Sequence, residues 1–372
     1  MISVLNIITD SNIGGAGRVL INYLQNADRS RFEPMVALPR GSLLKEELAK
    51  LDTPVYEVDG LAERSFHPQD VRSLTRLIGK LKPDIVHTHG ALSGRIAGKL
   101  QGRIVIYTRH SAFPVSAKLR YPPGRWVNTL VNLVLADHII AISPAAAENL
   151  TDAGVPARKI TVMMNGVSPL KRSPPAQRNA LMAELGLGPE DFKMGIIARL
   201  EPYKGHSLIL DAMERLRREG RNCKLLIAGT GSNEEALRKE ASRRGLADSV
   251  RFLGFVQDVA PLLSILDLQL NASYGTETSS LSVLEGMSMG LPAVVSSYGG
   301  NPWLIDDGQD GLIFESGSAA ALKKALVRLM DEPETLRDMG RKAAEIFQLR
   351  FTGEIFAKNV ESVYLRSVKC EM

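Results

Sequence analysis

Short apolar runs alternate with longer amphipathic stretches along the whole chain, and this alternation limits the fold more than any other feature. A first series of such runs is followed by a second: VLNIIT, PMVAL, PVYEV, DIVHT, RIVIYT and HIIAIS, then MGIIA, KLLIAG, VRFLG, LDLQLN, AVVSS and GLIF. Apolar runs separated by stretches with a 3.6-residue period are typical of βαβ units and a parallel sheet. Because the series occurs twice, the sequence predicts an α/β protein with two doubly wound domains.

A proline-containing stretch, SPLKRSPPAQR, separates the two series and predicts an exposed connection near residue 170. The predicted domains are 1–170 and 171–350, and we expect 351–372 to form a C-terminal helix that packs on the first domain. In open α/β sheets, ligands bind at the carboxyl ends of the strands. Two such domains facing each other would enclose one central cleft.

Composition supports a globular protein. Of the 372 residues, 44% are hydrophobic and 23% are charged, values that argue against disorder or a membrane bundle. The two cysteines, Cys223 and Cys370, lie far apart without metal-ligand spacing, which fits a reducing compartment. The first residues lack the features of a signal peptide, and polar residues interrupt the most apolar stretch, 126–142, so we predict no transmembrane helix.

The charge is uneven along the chain. Residues 1–170 hold 20 Lys and Arg against 14 Asp and Glu, whereas the whole chain has a net charge of +5. A basic first half suits contact with anionic lipid, a phosphorylated acceptor or nucleic acid, and an ordinary solvated basic face is an equally good interpretation. Lys118, Arg120, Arg125 and Trp126 indicate where an anionic membrane would be contacted.

Two loops after predicted strands suit an anionic ligand. Gly14 and Gly15 lie between the first strand and a helix predicted to begin near Arg18, where backbone amides can approach a phosphate. A tight turn without a ligand explains these glycines equally well, and the chain has neither GxGxxG nor GxxxxGK[ST]. Arg199 and Lys204 follow the first strand of the second series and suit a diphosphate.

The segment YGTETSSLSVLEGMSMGLP places Glu277 just before a helix and Glu285 within it. Ser279 or Ser280 is the expected N-cap, so backbone amides near Ser280 and Leu281 would point at a ligand. Glu285 is flanked by apolar residues, where a carboxylate needs donors. Ribose hydroxyls or a structural hydrogen bond would supply them, and this segment alone does not decide between the two.

Histidines follow two strands of the first series. His87 and His89 form an HxH pattern without a third ligand at suitable spacing, so we predict no metal site there. His110, which follows the next strand, is the better candidate for a polar contact with substrate.

Taken together, these segments resemble the retaining nucleotide-sugar glycosyltransferases of the GT-B fold, family four. The resemblance covers nearly the whole chain, in the order GGAGR, VHTHG, RHSAF, AISPAAAENL, VMMNGV, IARLEPYKGH, IAGTG, FLGFV, ETSSLSVLEGMSMGLPAVVSSYGG and DGLIF. Glu277 and Glu285 match the family's E-x7-E signature. The resemblance implies a metal-independent hexosyl transfer from a UDP- or GDP-linked donor to a glycan, lipid-linked or small-molecule acceptor, in cell-envelope or polysaccharide synthesis.

The resemblance also implies roles for single residues. Arg199 and Lys204 would stabilise the leaving diphosphate, Glu277 would contact sugar hydroxyls, and His110 would lie beside the reacting sugar. The remaining donor contacts would come from residues that approach the phosphates, the ribose or the base: Gly14, Gly15, Gly229, Gly231, Phe255, Val256, Ser280, Leu281 and Glu285. The implied partners are a nucleotide sugar and an acceptor but no nucleic acid, no metal or other cofactor is implied, and the implied location is the cytoplasm, including the inner face of the membrane.

One departure concerns the segment after the GG pair, where Trp303 replaces the family's glutamate. This substitution suggests an altered donor preference, and it also prompts the alternative of a catalytically silent binding subunit. A nucleotide-sugar epimerase or a phosphorylase is the second alternative, because one fold supports several reactions.

Overall fold

The computed structural model describes residues 1–61 and 63–369, so Cys370, one of the two cysteines without metal-ligand spacing, lies outside the described residues. The chain divides into two compact units. The first unit contains Met1–Ser168 and the segment that begins at Thr352, and the second contains Pro169–Phe351.

Each unit is built on one parallel sheet. The strands are β1 (Ile2–Ile8), β2 (Phe32–Pro39), β3 (Val55–Val58), β4 (Ile85–His89), β5 (Ile104–Arg109), β6 (His138–Ala141), β7 (Ile160–Val162), β8 (Phe192–Ile197), β9 (Cys223–Ala228), β10 (Val250–Gly254), β11 (Leu268–Asn271), β12 (Ala293–Ser296) and β13 (Gly311–Phe314). The first sheet has the order β3-β2-β1-β4-β5-β6-β7 and the second has the order β10-β9-β8-β11-β12-β13. The predicted α/β class with two doubly wound sheets is confirmed.

The helices lie between the strands and at the C-terminal end. They are α1 (Gly15–Asn26), α2 (Leu44–Ala49), α3 (Pro68–Leu81), α4 (Leu92–Leu100), α5 (Ala117–Arg120), α6 (Gly124–Leu135), α7 (Pro144–Asp152), α8 (Pro175–Glu184), α9 (His206–Arg218), α10 (Glu234–Arg243), α11 (Ala260–Ile265), α12 (Leu281–Ser288), α13 (Ala319–Asp331), α14 (Pro333–Arg350) and α15 (Gly353–Lys369). Helix α8 begins inside the proline-containing stretch that was predicted to be an exposed connection, because proline is well tolerated in the first turn of a helix.

All the apolar runs of the two series form strands, because an inner parallel strand is covered on both faces and is therefore predominantly apolar. In β1, Val4, Leu5, Ile7 and Ile8 are fully buried. The sequence analysis missed β7, whose three residues pair with β6 at the edge of the first sheet. All three of its residues are at least partly exposed, and it is too short to give the signal of an inner strand.

The C-terminal helix α15 belongs to the first unit. Tyr364 is fully buried there, with its ring centroid 6.0 Å from that of Tyr23 on α1 and 5.7 Å from that of Phe32 on β2. The Gly353 amide donates to the Val167 carbonyl at 2.9 Å. These contacts attach α15 to the first sheet rather than to the unit that precedes it in sequence.

Candidate functional site

The strand order of the second sheet reverses between β8 and β11, and the loops after these two strands hold the predicted donor residues. Lys204 lies on the loop after β8 and Glu277 on the loop after β11. Lys204 Nζ lies 2.9 Å from Glu277 Oε2, with side-chain exposures of 16% and 8%. Such a reversal of strand order is where open α/β sheets bind ligands.

Further donors surround the same carboxylate oxygen of Glu277. Asn271 Nδ2 donates to Oε2 at 3.1 Å, and Ser273 Oγ donates to it at 3.0 Å. Burial by itself would raise the pKa of Glu277, but Lys204 and these hydrogen bonds bring it below its ordinary value. Glu277 is therefore a fixed, ionised group at neutral pH. The sequence analysis missed Asn271 and Ser273, although Asn271 ends a predicted strand at this edge.

The glycine pair Gly299–Gly300 packs directly against the Glu277 loop. The Gly300 amide donates to the Glu277 carbonyl at 3.0 Å. A methyl group at Gly300 would overlap the Thr278 carbonyl oxygen, and one at Gly299, where φ is 61°, would overlap the Glu277 carbonyl oxygen. This close backbone approach holds the Glu277 loop in place, and the sequence analysis assigned neither glycine to the site.

Arg199 lies on the loop after β8, and its guanidinium is exposed. Arg199 Nη2 donates to the Tyr203 hydroxyl at 2.7 Å, and the Tyr203 ring centroid lies 5.9 Å from both the Arg199 guanidinium carbon and Lys204 Nζ. Tyr203 thus links the two predicted cations. The sequence analysis did not single it out.

Helix α12 begins beside this group of residues. Ser280 is its N-cap, as predicted, but its side chain makes no capping hydrogen bond. The first helical bond runs from the Leu284 amide to the Ser280 carbonyl, so the preceding amides of the helix lack intrahelical partners. Glu285 is half-buried in the helix, so the apolar residues around it do not enclose it.

Two other loops at this edge contain the remaining predicted donor residues of the second unit. A side chain at Gly229 would overlap the Ala198 carbonyl, and one at Gly231 would crowd the Leu200 backbone, so both glycines allow the loop after β9 to pack on the loop after β8. Phe255 follows β10 and is 64% exposed, whereas Val256 packs partly against the apolar core.

In the first unit, Gly14 and Gly15 lie at the corresponding reversal of strand order, between β1 and β4. Helix α1 begins at Gly15 with Gly14 as its N-cap, so the predicted start near Arg18 was wrong by about one turn. Gly17 lies within the helix because a side chain there would overlap Leu44, and close packing on α2 therefore favours a glycine.

His87, His89 and His110 of the first unit form one group, in which His87 and His89 are buried and His110 is partly buried. His89 Nδ1 lies 2.9 Å from His110 Nε2, and His87 Nδ1 lies 2.6 Å from the Tyr364 hydroxyl. Burial lowers the pKa of His87 to about 3 and that of His110 to about 4, and it lowers the pKa of His89 well below its ordinary value. All three rings are therefore neutral at physiological pH.

Residues 1–61 and 63–369 contain no group of three or more His, Cys, Asp or Glu side chains arranged to hold a metal ion. Cys223 is buried and makes no disulfide within this part of the chain. Among the described helices, none is long and apolar enough to cross a membrane.

Two family models together match most of the chain. The model described as Glycosyltransferase Family 4 matches residues 13–169, and the one described as Glycosyl transferases group 1 matches residues 177–346. The second match contains Arg199, Lys204, Glu277 and Glu285.

Named relatives extend the same similarity. The chain is 29% identical over 353 residues to a D-inositol 3-phosphate glycosyltransferase of Streptomyces avermitilis, covering 87% of this chain and 74% of the relative. It is 26% identical over 317 residues to the alpha-monoglucosyldiacylglycerol synthase of Acholeplasma laidlawii, covering 79% and 78%. The structure of Anabaena HepE in complex with UDP superimposes with a TM-score of 0.85 at 22% identity, covering 98% of this chain and 100% of that chain.

Proposed function

The chain belongs to the group 1 glycosyltransferases of the GT-B fold, and from this membership we propose that it transfers a hexose from a UDP- or GDP-linked donor to a glycan, lipid-linked or small-molecule acceptor. In this proposal the second unit binds the donor and the first unit binds the acceptor. Transfer proceeds with retention of configuration and without a metal ion.

The observation that carries this proposal is the Lys204–Glu277 pair at the strand-order reversal of the second sheet. A fixed carboxylate suits the hydroxyls of a sugar, and cations suit the diphosphate that leaves when the glycosidic bond breaks. Charge stabilisation of this kind is commonly the largest contribution to catalysis in such sites. No residue is assigned as a nucleophile.

The cations are not equivalent in this proposal. Lys204 is already paired with Glu277, whereas the Arg199 guanidinium is exposed and held by Tyr203. Arg199 therefore contributes the uncompensated positive charge toward the diphosphate. The amides at the start of α12, near Ser280 and Leu281, add partial positive charge.

The remaining donor contacts are proposed from the family pattern. Glu285, which is partly exposed in α12, binds the ribose hydroxyls. The exposed ring of Phe255 and the backbone of Val256 contact the nucleotide base of the donor. For Gly14, Gly15 and His110 in the first unit, contact with the phosphates and the reacting sugar stays a prediction.

The acceptor class is proposed from the relatives. One relative is named alpha-monoglucosyldiacylglycerol synthase and another is named D-inositol 3-phosphate glycosyltransferase. The basic first half suits an acceptor with a phosphate or an anionic lipid environment. A role in cell-envelope or polysaccharide synthesis follows from such acceptors, with the enzyme in the cytoplasm and at the inner face of the membrane.

UDP-glucose is the first donor to test, because the Anabaena HepE structure has also been solved with UDP-glucose. Calorimetric titration of UDP-glucose and a GDP-linked hexose in the presence of EDTA would identify the base and test metal independence together. Nucleotide release that depends on an added glycolipid or phosphorylated acceptor would establish transfer. Binding without release for any pair would instead favour the silent subunit, and product from donor alone would favour an epimerase.

The surroundings of Trp303, which stands where the family has a glutamate, bear on the alternative of a catalytically silent binding subunit. Its side chain is half-exposed, and its backbone carbonyl accepts a hydrogen bond from Arg350 at 2.9 Å. The substitution therefore leaves the local backbone anchored. Lys204, Glu277 and Arg199 are all present and held by the contacts described above, which favours a working transferase.

A further inference from the structure

Helix α6 (Gly124–Leu135) exposes a row of large apolar side chains, whereas an ordinary surface helix exposes its polar face. Its exposed large side chains are Trp126, Val127, Leu130 and Val134. Residues three and four apart lie on the same side of a helix, so these four side chains form one continuous apolar face. A surface helix of a globular protein normally turns such a face toward the core.

The polar residues of α6 face the first unit instead. Asn128 Nδ2 donates to the Ala153 carbonyl at 2.7 Å, and Thr129 Oγ1 donates to the Gly154 carbonyl at 2.8 Å. Asn132, the buried residue of the helix, accepts a hydrogen bond from Arg95 Nη1 at 2.9 Å. Hydrogen bonds thus attach the helix to the unit, and its apolar side is left outward.

The sequence around this face contains only basic charges. Between Asp84 and Asp137 there is no Asp or Glu, but there are seven Lys and Arg residues. Lys118, Arg120 and Arg125 are exposed beside the apolar face, and Arg120 makes an exposed ion pair with Asp152 at 3.3 Å. Leu119 and Tyr121 extend the exposed apolar surface into this basic region.

We propose that the exposed face of α6, together with α5 (Ala117–Arg120), docks on the surface of an anionic lipid bilayer. A helix of 12 residues is about 18 Å long, which is too short to span the hydrocarbon core but suits a position in the plane of the interface. Trp126 is of the residue type that favours this interface, and the basic side chains reach the headgroups. A second copy of the chain would bring the same basic charge to the contact, so charge complementarity favours lipid over self-association.

Docking can be measured without any donor, which separates this proposal from the proposed function. Trp126 and Trp303 are the two tryptophans of the chain. In a Trp303→Phe background, Trp126 fluorescence therefore reports on α6 alone. Vesicles of phosphatidylcholine, with and without about one third phosphatidylglycerol, are added to the full chain at low and at high salt.

With anionic vesicles at low salt, we expect Trp126 fluorescence to shift to shorter wavelength and the protein to co-sediment with the vesicles. Binding should be weaker at high salt or with neutral vesicles. Leu130→Asp should lower the partition coefficient at least about tenfold, because it places a charge in the inserted face. Leu349→Asp is the matched control, since Leu130 and Leu349 are helical leucines that are 61% and 76% exposed. Absence of binding to anionic vesicles, equal partition of the two variants, or a dimer that Leu130→Asp dissociates would overturn the proposal.

A buried hydrogen-bond chain supports a second, independent inference. Asn6 at the centre of β1 is fully buried, and its Nδ2 donates to the Met35 carbonyl at 3.3 Å. This bond directs Oδ1 toward His89 Nε2, which lies 3.3 Å away. Because Oδ1 can only accept, His89 Nε2 must carry the proton.

His110 is constrained through its contact with His89. His89 is neutral, so protonation of Nε2 leaves its Nδ1 as an acceptor. His110 Nε2, at 2.9 Å, must then donate to it, and the Nδ1 of the neutral His110 ring is an acceptor. We infer that Asn6 and His89 are positioning residues that fix the tautomer and ring orientation of His110.

The role of this tautomer in the reaction rests on the proposed function, in which His110 lies beside the sugar. The tautomer itself is set within the first unit and can be measured without that assumption. In this tautomer, Nδ1 of His110 can accept a hydrogen bond from a hydroxyl but cannot donate one. The contacts of Asn6 and His89 therefore fix Nδ1 of His110 as a hydrogen-bond acceptor.

Long-range proton–nitrogen NMR of the ¹⁵N-histidine-labelled full chain tests the inference without donor. We expect the signature of a protonated Nε2 for both His89 and His110, assigned by single His→Gln variants. Asn6→Leu should convert both rings to tautomer mixtures. A protonated Nδ1 on His110 in the unsubstituted protein, or unchanged tautomers in Asn6→Leu, would refute the inference, and the first outcome does not depend on the variant folding.

Discussion

The Lys204 ammonium lies 2.9 Å from Glu277 Oε2, at the point where the strand order of the second sheet reverses. The two residues are 73 positions apart and come from loops after β8 and β11, which are neighbouring strands in the sheet. Because both side chains are largely buried, each charge depends on the other for compensation.

Glu277→Gln should destabilise the protein by about 3 kcal/mol, because it leaves the Lys204 charge buried without an opposite charge. Turnover should fall at least about a hundredfold as the sugar loses its fixed contact. Urea unfolding and nucleotide release measure the two effects. The control is Glu219→Gln, which breaks a more exposed pair with Lys323 and should cost less than about 1 kcal/mol. Equal losses in the two variants would contradict a special role for the Lys204–Glu277 pair.

Gly300→Ala should lower stability by about 2 kcal/mol and weaken nucleotide-sugar binding, because the added methyl group overlaps the Thr278 carbonyl and displaces the Glu277 loop. Calorimetry of the donor and thermal unfolding provide the measurements. Gly188→Ala is the matched control, since its methyl group would lie 3.5 Å from the nearest atom, Asp191 Oδ2. The prediction fails if both variants bind the donor with wild-type affinity.

His206→Leu should make the protein more resistant to mild acid. Burial, assisted by Lys204, lowers the pKa of His206 to about 4 from an ordinary value of 6.5, and neither ring nitrogen has a hydrogen-bond partner among the described residues. Between these two values the unfolded state binds a proton that the folded state does not, so the histidine lowers stability as the pH falls.

The leucine variant should therefore gain about 1.4 kcal/mol in free energy of unfolding, relative to the wild type, when the pH is lowered from about 8 to about 5.5. Urea unfolding of both proteins at the two pH values measures this difference. An identical effect of the substitution at both pH values would show that His206 titrates normally in the folded protein.

Tyr364→Phe should destabilise the first unit by about 1–2 kcal/mol, because it removes the hydroxyl that lies 2.6 Å from His87 Nδ1 and leaves that buried nitrogen without it. Thermal unfolding monitored by circular dichroism measures the loss. Tyr121→Phe removes an exposed hydroxyl and should change stability by less than about 0.5 kcal/mol. A similar small change in both variants would mean that the Tyr364 hydroxyl does not help to anchor α15.

Much of the architecture could be predicted from local sequence. The apolar runs identified every inner strand because strands covered on both faces are predominantly apolar, even where single polar residues such as Asn6 interrupt them. The start of α1 was misplaced, since Gly15 and Gly17 oppose helix formation locally and close packing of Gly17 against Leu44 overrides that preference. Strand β7 was missed because it is short and lies at the sheet edge.

The candidate site was only partly predictable. Glu277, Lys204 and Arg199 belong to recognisable segments, but their partners Asn271, Ser273 and Tyr203 carry no signal that separates them from ordinary polar residues. Which side chains meet depends on the strand order, and the chain reaches β11 only after two further strands have been added on the other side of β8.

The sequence by itself determined the α/β class, the two series of strands and the family-like segments, because apolar periodicity and motif spacing are local properties. Tertiary structure decided that Lys204 pairs with Glu277, that α6 turns its apolar face outward, and that Asn6 acts on His110 through His89. Each of these depends on which distant side chains or backbone groups pack against an element. Burial and hydrogen bonding therefore assign a charge, a face or a proton position that the residue type alone leaves open.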